Sequence, residues 1–72
     1  MESFHYLVLQ VVGEQNKYLL IRVTHRSGAS RFFESANLIN NKWELHWTTN
    51  FYEARILTQR ELLIMKKVLE IV

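Results

Sequence analysis

The sequence predicts an α+β fold: an antiparallel β-meander of three or four strands with a C-terminal amphipathic helix packed on one face. Three observations carry that expectation. Thr58, followed three positions later by Glu61, matches a capping box, in which a hydroxyl and a carboxylate reciprocally satisfy orphan N–H groups of a first helical turn. Beyond it, Leu62, Ile64, Met65, Val68, Leu69, Ile71 and Val72 fill one arc of a helical wheel over residues 59–72. Upstream, apolar residues recur with a period of two between Gly- and Asn-containing breaks, which is strand spacing.

Residues 4–12 are rich in aliphatic and aromatic side chains. Phe4, Tyr6, Val8 and Val12 fall on one side and Leu7, Leu9 and Val11 on the other, so the segment reads as a central strand. Gly13-Glu14-Gln15-Asn16 is a turn. Residues 17–25 return, with Leu19, Ile21 and Val23 alternating against Tyr18, Leu20, Arg22 and Thr24. Pairing Val12 with Lys17 would set Val8 opposite Ile21 and Leu9 opposite Leu20. Both faces of this hairpin are apolar, so one face can take the helix and the other needs a second cover.

Ser27-Gly28 marks the next turn, and residues 31–39 form a third strand. Asn40-Asn41 suits a tight turn, because Asn tolerates positive φ. Residues 42–48 alternate cleanly: Trp43, Leu45 and Trp47 point one way, Glu44, His46 and Thr48 the other. Asn50, with Glu53 three positions on, is positioned to cap a short helical stretch over 51–57, after which Thr58 starts the main helix. Lys66 and Lys67 lie toward its C-terminal end, where cations suit the helix dipole. Leu63 breaks the pattern by falling amid the polar face.

Composition narrows the functional classes. One domain of 72 residues is small for independent folding, and without cysteine there is neither a disulfide nor a Cys/His zinc pattern. A homodimer is the remaining common support. The first residues lack the basic start of a signal peptide, and no apolar run reaches membrane-span length, so the expected setting is the cytoplasm. Nine Lys and Arg against seven acidic residues leave a net charge of +2. Nucleic-acid binders carry a larger excess or a basic stripe.

Asp, Cys and Pro are all missing from the sequence. A catalytic nucleophile is limited to Ser, Thr, Tyr or Lys, and a histidine base could be oriented only by Glu. No serine sits in a nucleophile-elbow pattern, and no glutamates are spaced to flank a substrate. The sequence therefore predicts a non-enzyme with no cofactor. His5 and His25 fall at one end of the first hairpin, where Glu34 could complete a metal site, but metal-ligand spacing is missing and they read as surface histidines.

Two binding surfaces remain. Trp43, Trp47, Phe51 and Tyr52, with the outlying Leu63, exceed what so small a core needs, and such aromatics commonly anchor protein interfaces. The alternative is a basic turn of Arg22, Arg26 and Arg31 with Ser27 and Ser30, able to grip phosphate beside aromatic platforms such as Phe33.

The stretch Trp47-Thr48-Thr49-Asn50-Phe51-Tyr52-Glu53-Ala54-Arg55-Ile56-Leu57-Thr58-Gln59-Arg60-Glu61 resembles short phage-encoded proteins, mostly from phages of low-GC Gram-positive bacteria. A Trp-Thr strand end, a helical turn closing on Ala54 and a Thr-x-x-Glu-capped final helix carry the likeness. It involves no functional motif and brings no site residue with it. It implies a small accessory protein, a class in which several members bind and inhibit a host protein. The expected function is thus a protein-binding module, acting on a host factor, with nucleic-acid regulation as the alternative.

Overall fold

The computed structural model describes residues 3–71. Strands β1 (Phe4–Gln10), β2 (Lys17–Thr24), β3 (Ser30–Ile39) and β4 (Lys42–Thr48) pair antiparallel in chain order. A single 3-10 turn (Phe51–Glu53), a short strand β5 (Leu57–Thr58) and helix α1 (Gln59–Leu69) follow. The fold is α+β, as the sequence predicts.

The central strand is β2 rather than β1, which lies at the edge of the sheet. Leu19, Leu20, Ile21 and Val23 of β2 are all buried, because this strand is covered on both faces. Leu20 joins Phe33, Leu57, Leu62 and Met65 in the main core, with Val68, Leu69 and Ile71 packed against it. Leu19, Ile21 and Val23 form a second cluster with Phe32 and Ala54 on the opposite face.

The β1–β2 register differs by one residue from the pairing expected. Leu7 stands opposite Ile21, Val8 opposite Leu20 and Leu9 opposite Leu19. The loop explains the shift. The Val11 N–H donates to the Lys17 carbonyl at 2.9 Å and the Glu14 N–H to the Val11 carbonyl at 3.1 Å, so Val11 rather than Val12 closes the hairpin. Val12 is left 97% exposed, outside β1. Because side chains alternate, one residue of slip exchanges the faces: Tyr6 and Val8 share the core side with Tyr18 and Leu20.

The β3–β4 hairpin turns at Asn40 (φ 51°) and Asn41 (φ 63°), the pair of left-handed residues that a type I′ turn requires. A register shift between Phe33 and Ser35 inserts an extra residue into β3. It keeps both Phe33 and Ala36 on the core side. Beyond Phe32, β3 no longer pairs with β2, and β5 takes the vacated edge at Lys17 and Tyr18. The Arg55 N–H donates to the Phe33 carbonyl at 2.9 Å on the way there. These strand bonds claim the backbone that a helix over 51–57 would need, so only one helical turn forms.

α1 starts at the capping box: the Glu61 N–H donates to Thr58 Oγ1 at 3.2 Å, and the Thr58 N–H donates to Glu61 Oε1 at 3.1 Å. The helix ends at Leu69, where Glu70 adopts a left-handed conformation (φ 56°) and the Ile71 N–H donates to the Lys66 carbonyl at 2.9 Å. The helix therefore stops short of the expected run to residue 72: Glu70 and Ile71 are not helical, and Val72 lies outside the described residues. Of the expected apolar arc, Leu62 and Met65 are buried, whereas Ile64 is 40% exposed.

The capping box makes two stability predictions. Thr58→Ala should lower folding stability by about 1 kcal/mol, read from a urea midpoint. The Glu61 carboxyl is held below its ordinary value, first by the Thr58 N–H, then by the Thr58 hydroxyl and the Arg55 cation, against a smaller desolvation effect than the first. A carboxylate with a depressed folded-state pKa contributes stability above its unfolded value and loses it as pH falls through the folded value. Wild-type stability should therefore drop on acidification below the ordinary glutamate range more steeply than that of Glu61→Gln. Equal slopes would refute the assignment.

Candidate protein-binding surface

The 3-10 turn after β4 is built from side-chain hydrogen bonds. Buried Thr48 donates from Oγ1 to Glu53 Oε2 at 3.0 Å and accepts from the Asn50 N–H at 3.0 Å. Asn50 Oδ1 accepts from the Tyr52 N–H at 3.0 Å. Within the turn, the Glu53 N–H donates to the Asn50 carbonyl and the Ala54 N–H to the Phe51 carbonyl. Polar side chains thus satisfy backbone donors that a one-turn helix leaves orphaned.

This scaffold faces two aromatic rings outward. Phe51 is 57% exposed and Tyr52 is 95% exposed. The Phe51 ring packs edge-to-face on Phe32, with centroids 5.5 Å apart, and Tyr52 lies 6.1 Å from Phe51 at 81°. Phe32 belongs to the second cluster, so the pair stands on the sheet face opposite α1. The register continues that face through Ile21 to Leu7, and from Leu19 to Leu9. Leu7 and Leu9 are 45% and 50% exposed. Sequence reasoning expected the second face of the hairpin to need a cover but did not assign Phe32, Leu7 or Leu9 to a protein-binding surface; their alternation opposite the core side was the available signal.

The remaining predicted contact residues lie elsewhere. Trp47 faces the α1 side, with its ring 5.8 Å from Tyr6 and 5.9 Å from Phe33. It is part of the core packing. Trp43 is partly exposed farther along the same face, where it lines a cavity of about 190 Å³ with Phe33, Ala36, Leu57, Ile64 and Met65. The Arg55–Glu61 ion pair also borders that cavity. Leu63 is exposed on α1 and lines neither surface. Trp43 and Trp47 are thus separated by the sheet from Phe51 and Tyr52.

The basic alternative is only partly assembled. Arg22 and Arg31 are cross-strand neighbours, and Arg26 sits in the exposed turn between their strands. The Arg22 guanidinium carbon lies 4.3 Å from the Phe4 ring centroid and 5.2 Å from that of Trp47, so it is engaged in cation–π contacts. Phe33 is 1% exposed, filling the core beneath α1, and offers no stacking platform. The Arg31 guanidinium donates to the Ser30 carbonyl at 3.0 Å.

His5 and His25 do meet, with ring centroids 4.9 Å apart. Among the described residues, no group of three metal-ligating side chains accompanies them. Glu44 and His46 form an exposed pair at 3.3 Å. No helix among the described residues is long and apolar enough to cross a membrane. Comparison with protein-family models, curated proteins and solved structures gives no match to this chain.

Proposed function

We propose that this chain is a small non-enzymatic protein-binding module that occupies a surface on a partner protein through Phe51, Tyr52 and the adjoining Phe32. One observation carries the reading: two neighbouring aromatic rings are presented to solvent on a turn held by three side-chain hydrogen bonds. Folding gains nothing from leaving Tyr52 almost fully exposed. A rigid turn has already paid the ordering entropy that a flexible loop would lose on binding, which favours affinity. The likeness of Trp47–Glu61 to phage accessory proteins supports a host cytoplasmic protein as the partner and modulation or inhibition as the outcome.

The test is affinity capture of the tagged protein from host lysate, with and without nuclease, across a salt series. A stoichiometric protein partner should survive nuclease and be lost from the Phe51→Ala/Tyr52→Ala double variant. The adjacent Arg22 and Arg31, which form no ion pair among the described residues, favour the second reading of nucleic-acid binding. Capture that disappears with nuclease, or an affinity that falls steeply with salt through counterion release, would transfer the function to those arginines.

A further inference from the structure

The path β1-β2-β3-β4 ends in two edge strands, β1 and β4, and they are unlike. β4 carries Lys42, Glu44 and His46 along its length. Charges of this kind discourage strand addition. β1, with the sequence Phe-His-Tyr-Leu-Val-Leu-Gln, contains no Lys, Arg, Glu or Pro, and its pairing with β2 runs without a bulge. Along its described residues β1 thus lacks the charges, proline and bulge that commonly blunt an edge strand.

The phase of its hydrogen bonds is set at both ends. The Val11 N–H donates to Lys17 at 2.9 Å, and the His25 N–H donates to the Ser3 carbonyl at 3.0 Å. Antiparallel ladders alternate, so His5, Leu7 and Leu9 direct their backbone groups toward β2. Phe4, Tyr6, Val8 and Gln10 direct theirs away from it, at the open edge.

We infer that β1 pairs antiparallel with β1 of a second copy of this chain, about a two-fold axis at Leu7. In that register Tyr6 of one copy faces Val8 of the other, and Phe4 faces Gln10. Every outward-directed residue meets another outward-directed residue. Sliding by one would set outward groups against inward ones, and sliding by two would leave Phe4 or Gln10 without a partner. The side chains agree with the backbone. Tyr6 and Val8 extend the core side of the sheet across the junction. On the opposite side, half-exposed Leu7 meets its own copy, and half-exposed Leu9 lies beside His5. The Phe51–Tyr52 turn packs on β3, two strands from this edge, so dimerisation engages Leu7 and Leu9 at the far end of that face and leaves Phe51, Tyr52 and Phe32 open. The two readings can therefore fail separately.

The test combines sedimentation equilibrium with residue-resolved amide hydrogen exchange at high and low protein concentration. A mass of twice the 8.7 kDa chain is expected, with the Tyr6 and Val8 amides protected at high concentration and exposed on dilution. The Leu7 and Leu9 amides, bonded within the monomer, should stay protected in both. Leu7→Lys and Leu7→Glu should each be monomeric, whereas an equimolar mixture should regain the dimer, since the two side chains meet at the axis. If either variant fails to fold, the exchange pattern of the wild-type protein still decides. A monomer at all concentrations, or a dimer in which the Tyr6 and Val8 amides exchange freely, as a face-to-face dimer would give, overturns the inference.

Discussion

Phe33→Ala is expected to remove about 3–5 kcal/mol of folding stability, the range for truncating a buried aromatic ring. Phe33 is 1% exposed and stands where β3, β5 and α1 converge, in one cluster with Leu20, Leu57, Leu62 and Met65. It also meets the Trp47 ring at 82°. A chain this short buries a small share of its surface, so a loss of that size should leave much of the population unfolded at ambient temperature. Urea unfolding followed by tryptophan fluorescence checks it, with Phe33→Leu as a milder replacement that stays folded. A midpoint for Phe33→Ala close to wild type would contradict this packing.

Phe51→Ala should weaken partner binding by about 2 kcal/mol or more, close to thirtyfold in dissociation constant, and Tyr52→Ala should act in the same direction. Tyr52→Ala should leave the urea midpoint nearly unchanged, because Tyr52 packs on little besides Phe51, and Phe51→Ala should lower it modestly, because Phe51 rests on Phe32. Titration calorimetry with the captured partner separates these effects from folding. Trp43→Ala and Leu63→Ala are the controls, because neither residue shares the face of the turn. If Trp43→Ala carried the loss instead, the interface would be the cavity between β4 and α1, and the assignment to Phe51 would fail. Trp47→Ala is not a binding control, since its ring is built into the core.

The aromatic residues show why a linear pattern located them without grouping them. Alternation in β4 put Trp43 and Trp47 on one side, and the structure agrees. Proximity in sequence then joined Phe51 and Tyr52 to them. The chain crosses to the other face after Thr48, however, because the 3-10 turn packs Phe51 on Phe32 rather than on Trp47. Likewise, Phe33 reads as an available aromatic beside arginines until the bulge and α1 cover it.

What the sequence determined by itself is what depends on bonds between near neighbours. The Thr58–Glu61 capping box, the left-handed Asn40-Asn41 turn and the period-two strands are each closed within a few residues, so residue type and spacing suffice. Tertiary structure alone decided which strand is central, the one-residue register of the first hairpin, and the conversion of Leu57–Thr58 into a strand. It also decided which aromatics remain exposed. Those outcomes depend on which sheet edge is vacant and which face is already covered, and both are set by chain segments distant in sequence.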